Sequence, residues 1–170
     1  YVTPNLLVTA SGSYNDTKIK DPNLVVSGCG NLGTAAAPNL LCTVTNPSNG
    51  AGKFFINGNP LPNAPKWIAN LTARYGIPTA SGGEYFVYTD WSYRSKVNFF
   101  LYESTEFTGK GYAEGGLRAG YLWNDGKYEL AVFGRNITNK VVATGGIDFN
   151  NLTGFINDPR TFGVQFKAQF

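Results

Sequence analysis

Few residues in this chain have the means to do chemistry. Asp90, Arg94, Glu114, Arg118, Glu129 and Arg135 are its regularly spaced charges, and carboxylates beside cations suit general acid–base work. Their spacing, however, sets them on one face of neighbouring alternating segments, where opposite charges pair across a ladder. The structural role is the expected one, and no enzyme is expected. There is no histidine among the 170 residues, which removes Ser-His-Asp and Cys-His catalysis and His-ligated metals together. Gly28-Cys29-Gly30-Asn31-Leu32-Gly33 matches the dinucleotide fingerprint. That motif must open a helix, but Pro38 interrupts, and no acidic residue follows about 20 positions on. Cys29 and Cys42 are too few for a zinc site, and their polar, Gly-rich surroundings suit one disulfide in an oxidising compartment. No cofactor and no metal is expected.

The elements that carry these residues alternate with period two, the mark of strands with two unlike faces. Six segments do so: 6–15, 67–77, 84–94, 112–123, 128–135 and 161–170. One face of every segment is uncharged, as in Trp67, Ala69, Leu71, Ala73, Tyr75 and Ile77. The opposite faces collect nine charges: Arg74, Glu84, Asp90, Arg94, Glu114, Arg118, Glu129, Arg135 and Lys167. A net charge of +3 from scattered basic residues gives no nucleic-acid footprint. No apolar run is long enough for a transmembrane helix.

Such a face could be the core of a soluble sandwich. Three features favour a lipid-facing wall instead. The segments are long for strands and near the length that crosses a bilayer at a tilt. Connections alternate: 16–66, 95–111 and 136–160 are long, 78–83 and 124–127 short, as in outer-membrane barrels with short periplasmic turns and long external loops. Aromatics gather at both ends of the apolar face: Tyr75, Tyr85, Tyr121, Trp123, Tyr128 and Phe170 toward the short turns, Tyr14, Trp67, Trp91, Tyr93 and Phe162 toward the long loops. Amphipathic rings prefer the headgroup level. The predicted fold is an all-β antiparallel transmembrane barrel segment.

Six strands do not close a barrel, for which bacteria use at least eight. The remainder lies upstream, in a partner chain, or within 17–65. That region holds short β-like runs at 24–26, 40–44 and 54–56, which we read as a hairpin inside a large external loop, stapled by Cys29–Cys42. The most apolar loop stretch, Val97-Asn98-Phe99-Phe100-Leu101-Tyr102, lies near Trp91, Phe149 and Phe155 in topology. Trp91, Phe99, Phe100, Tyr102, Phe149 and Phe155 therefore form a candidate aromatic ligand patch. The competing reading is loop self-packing.

Three stretches resemble the end of the barrel of TonB-dependent outer-membrane receptors: Leu61-Pro62-Asn63-Ala64-Pro65-Lys66-Trp67 entering a strand, Phe133-Gly134-Arg135-Asn136-Ile137-Thr138-Asn139-Lys140 leaving one, and Asn157-Asp158-Pro159-Arg160-Thr161-Phe162-Gly163 opening a last strand that ends at Phe170. The resemblance implies that residues 1–170 are the last six strands of a 22-stranded barrel around a plug, with 17–65 an extracellular loop. It also implies a terminal Phe170 read by the barrel-assembly machinery. The implied function is TonB-driven uptake of a scarce nutrient (a ferric siderophore, cobalamin or an oligosaccharide) across a Gram-negative outer membrane. Implied partners are membrane lipid, the other strands, a plug, and the TonB complex through an N-terminal region this chain lacks. The rival readings are a small self-contained barrel with a structural or adhesive role and a porin fragment.

Overall fold

A computed structural model describes residues 2–30, 40–149 and 152–169. Twelve strands are present and no helix among the described residues: β1 Leu6–Tyr14, β2 Val25–Ser27, β3 Lys53–Phe55, β4 Trp67–Pro78, β5 Glu84–Arg94, β6 Val97–Asn98, β7 Thr108–Gly109, β8 Tyr112–Trp123, β9 Tyr128–Arg135, β10 Ala143–Ile147, β11 Thr153–Ile156 and β12 Thr161–Ala168. The six alternating segments are the six long strands. They form one antiparallel sheet in the order β1-β4-β5-β8-β9-β12. Each wall strand pairs only with its ladder neighbours, and β1 and β12 are open edges.

The short turns explain why neighbours meet in register. Asn124 and Asp125 take φ of 54° and 55° and Gly126 80°, the left-handed backbone that a tight hairpin demands. Trp123 then faces Tyr128, and Tyr121 faces Leu130. At the other short turn the Thr79 amide donates to the Gly83 carbonyl at 2.8 Å, and Pro78 faces Glu84.

The long connections hold three two-stranded ribbons, β2–β3, β6–β7 and β10–β11. β2 and β3 are the runs at 24–26 and 54–56, joined with Val25 opposite Phe55. At three residues each they cannot cross a bilayer, so among the described residues 17–65 adds no strand to the wall. The run at 40–44 gives only a bridge, Val44 to Ser104. Cys29 and Cys42 form the disulfide, with Cα atoms 5.9 Å apart.

Burial is inverted relative to a soluble protein. Among the described residues ten hydrophobic ones are buried, and of these only Phe86 and Ala131 lie in the wall. The others are loop residues, and Cys29, Cys42, Ile56, Val97, Phe99, Tyr102 and Phe107 form one cluster. The apolar face of the wall is open, with Leu71, Val87, Leu117, Leu130, Val132 and Val164 all exposed. An exposed apolar surface of this extent is a contact surface, not ordinary soluble-protein exterior.

Candidate functional site

The charged face of the wall is built rung by rung. Arg74 faces Tyr88, and Tyr88 faces Arg118. Two rungs toward the short turns, Glu84 and Glu129 both face Leu122. Arg74 reaches down to Glu84 and Arg118 to Glu129, each through Nη2. Phe86 occupies the rung between, opposite Gly76 and Gly120. The guanidinium carbons of Arg74 and Arg118 stand 5.3 and 5.6 Å from its ring centroid. This sandwich explains why Phe86, on a polar face, is only 6% exposed. Cation–π attraction and ion pairing lock the two arginines from opposite sides.

Nearer the long loops the pairing continues. Arg118 donates to Gln165 Oε1 at 2.8 Å and Arg135 to Asp90 at 3.3 Å. Glu114 accepts from Asn157 Nδ2 at 2.6 Å. Arg94 donates to the Ala143 carbonyl at 3.2 Å and lies over the Tyr112 ring. The Nε atoms of Arg94 and Arg118 are buried without a partner. The six charged residues singled out in sequence thus lie on one face, held by ion pairs and hydrogen bonds. Among the described residues no group of His, Cys, Asp or Glu could hold a metal. The face is polar and cross-linked by these pairs.

The aromatic patch is not brought together as one surface. Phe99 and Tyr102 are buried in the loop cluster and Phe100 packs against it, stacked on Tyr102 with centroids 5.5 Å apart. The Tyr102 hydroxyl donates to Asp148 Oδ2 at 2.7 Å, and burial, with that carboxylate beside it, pushes the phenol well above its ordinary pKa. Trp91 lies on the apolar face of β5, where its Nε1 donates to Thr89 Oγ1 at 2.9 Å. Phe149 and Phe155, 71% and 49% exposed, are on the β10–β11 arm. Phe170 lies outside the described residues.

Two features have no sequence signal. The first is a pair of amides, Asn59 buried and Asn46 half-buried: they donate to each other at 2.9 and 3.1 Å, and Asn59 also donates to the Leu101 carbonyl at 2.8 Å. The second is Glu106, which accepts from the Thr43 amide and hydroxyl at 2.9 and 3.0 Å. Burial alone would raise the Glu106 carboxyl, but these hydrogen bonds outweigh it and hold it below the usual range. Both join segments far apart in sequence, which no local pattern encodes.

No family model matches the chain, and no curated protein matches it. Among solved structures it is similar to the crystal structure of the siderophore receptor PiuA from Acinetobacter baumannii, with a TM-score of 0.63 and 17% identity over 96% of this chain. The matched part is 19% of that receptor's chain, so this chain spans about a fifth of its length. At that identity the likeness is one of fold: the open antiparallel sheet and its loops share the architecture of part of a siderophore receptor.

Proposed function

We propose that the chain is the C-terminal wall of the barrel of a TonB-dependent outer-membrane receptor. In this reading the apolar face meets lipid and the charged face lines the lumen. The short turns lie in the periplasm and the disulfide-tied loops outside the cell. The whole protein takes up a scarce nutrient, with a ferric siderophore favoured by the likeness to PiuA and cobalamin or an oligosaccharide as the other classes. Energy comes through TonB, by way of a plug and an N-terminal region outside this chain. The chain itself is wall and loop, not an enzyme.

The observation that carries the reading is the inverted burial of a six-stranded sheet whose fold matches part of a siderophore receptor across 96% of the chain. The girdles support it. Rings run without a break near the short turns, from Tyr85–Tyr121 at 4.5 Å through Trp123–Tyr128 at 5.7 Å, and Tyr14 pairs with Trp67 at 4.6 Å at the other end. A small self-contained barrel needs two further crossing strands from 17–65, and the described residues there supply none.

The test is the denatured mass of the protein that carries this segment in its native membrane, followed by siderophore binding to that protein. A mass several times 18.4 kDa together with outer-membrane fractionation is expected. An outer-membrane species of 18.4 kDa would overturn the single-chain receptor, and a large porin-like species conducting ions freely would overturn the plug.

A further inference from the structure

The loop ends of β1, β4 and β5 bring three lysines around one depression of about 410 Å³: Lys18, Lys66 and Lys96, with Asn15, Asn98 and Glu103. The three come from separate stretches of chain and meet because their strands are neighbours. Backbone bonds fix the walls. The Asn15 amide donates to the Lys66 carbonyl at 2.9 Å, Ser95 to Trp67 at 2.9 Å, Asn63 to Asn98 at 2.8 Å and Gly58 to Ile19 at 2.9 Å. Asn98 is buried, with its Nδ2 on Glu103 at 2.7 Å.

The acidic groups facing this space are Asp16 and Glu103. Asp16 is taken by Lys66 at 3.2 Å, and Glu103 accepts from Asn98. Among the described residues neither Lys18 nor Lys96 makes an ion pair. The depression therefore keeps an excess positive charge and two exposed ammonium groups without a carboxylate. Each is a compact donor of three hydrogen bonds. Three lysines against Asp16 and Glu103 leave a net charge of +1, and the several oxygens of a phosphate can accept from both free ammonium groups at once. We propose that this depression binds a phosphate group, with Lys18 and Lys96 as its ligands and Lys66 held beside them by Asp16. The proposal does not depend on the transport reading.

The phosphate has two possible sources, a lipid headgroup or a soluble phosphorylated compound. The intact protein in mild detergent is titrated calorimetrically with inorganic pyrophosphate and, separately, with phosphatidic acid in mixed micelles. Lys18→Ala/Lys96→Ala is compared with Lys110→Ala/Lys140→Ala, which removes the same charge elsewhere. Binding of pyrophosphate, weakened about tenfold or more in the pocket variant and unchanged in the control, supports a soluble ligand. Binding of phosphatidic acid alone, with the same contrast, supports a headgroup. Binding of neither probe, or equal weakening in both variants, overturns the proposal. All four lysines are exposed, so circular dichroism spectra should be identical across the set.

Discussion

Replacing Cys29 and Cys42 by alanine should loosen the loops and leave the wall intact. The bridge spans a sequence separation of 13, and closing a loop of that size restricts the unfolded chain by about 3 kcal/mol. The effect is local because the sulfurs sit inside the loop cluster, Cys29 fully buried and Cys42 nearly so. Their neighbours there are Ile56, Val97, Phe99, Tyr102 and Phe107, none of them in the six-stranded sheet. Amides that open with this cluster include Thr45, bonded to the Glu103 carbonyl at 2.9 Å, and Phe99, bonded to Phe107 at 3.0 Å. A loss of about 3 kcal/mol speeds their hydrogen exchange roughly a hundredfold. Exchange mass spectrometry on the intact protein in detergent reads this segment by segment. Amides of β4, β5 and β8 should be unchanged. A change spread evenly over wall and loops would refute the separation of the two, and acceleration of less than about threefold in the loops would refute the magnitude.

Three further perturbations follow from particular contacts. A methyl at Gly120 would run into the Leu130 carbonyl oxygen, backbone that cannot swing away, whereas one at Gly154 meets nothing within 4 Å. Gly120→Ala should therefore cost about 1–3 kcal/mol and Gly154→Ala nearly nothing, read as the urea midpoint of the intact protein. Asn136 is buried at φ 45°, donates to the Lys140 and Asp158 carbonyls at 2.8 and 3.0 Å, and accepts from the Lys140 amide at 3.1 Å. Asn136→Ala loses these bonds in a left-handed backbone that alanine disfavours, together about 3 kcal/mol, and trypsin should cut after Lys140 much faster. The loop cluster should also respond to pH at both ends. The lowered Glu106 carboxyl stabilises above its ordinary value of 4.5 and loses this as pH falls through its lower folded value. The raised Tyr102 phenol stabilises fully below 10.0 and loses this as pH climbs beyond. Loop exchange, corrected for intrinsic rates, should be flat between those values, and a step near neutrality would contradict both assignments.

The wall was legible because period two acts on both faces at once. A slip of one residue would put Arg74, Glu84 and Arg118 where Ala73, Tyr85 and Ala119 stand, so sequence defines phase and register together. Segments 67–77 and 84–94 accordingly appear as Trp67–Pro78 and Glu84–Arg94. The loops were legible only where a local pattern survived: the runs at 24–26 and 54–56 do pair, and the two cysteines do join. β6, β7, β10 and β11 carry no such pattern. They are only two to five residues long, too short for a period to show, and are paired by what surrounds them. The aromatic run at 97–102 shows the limit most clearly. A hydrophobic loop reads identically whether other loops cover it or it waits for a ligand, and what decides is Tyr102 finding Asp148 across 46 residues.

The same ambiguity attached to the apolar face of the wall, and there the geometry speaks against a sandwich. In a sandwich Leu71, Val87, Leu117 and Val132 would be the most buried residues of the molecule, packed under a second sheet about 10 Å away. Instead these four are exposed, the wall has no second sheet over its apolar face among the described residues, and most of the buried hydrophobic side chains gather in the loops. Water would strongly oppose such a surface, at roughly 25 cal/mol for each Å² of apolar area left open. Hydrocarbon removes that opposition and replaces it with a demand that every backbone group be paired. The ladder meets that demand at β4, β5, β8 and β9, which have partners on both sides, and fails it at β1 and β12. The two open edges thus become an argument about assembly. In the proposed receptor barrel, further strands pair with both edges and close the sheet. Cross-links from cysteines placed on β1 or β12 in the intact protein should capture further strands of the same barrel; capture of lipid alone at both edges would leave the wall without the closure it requires.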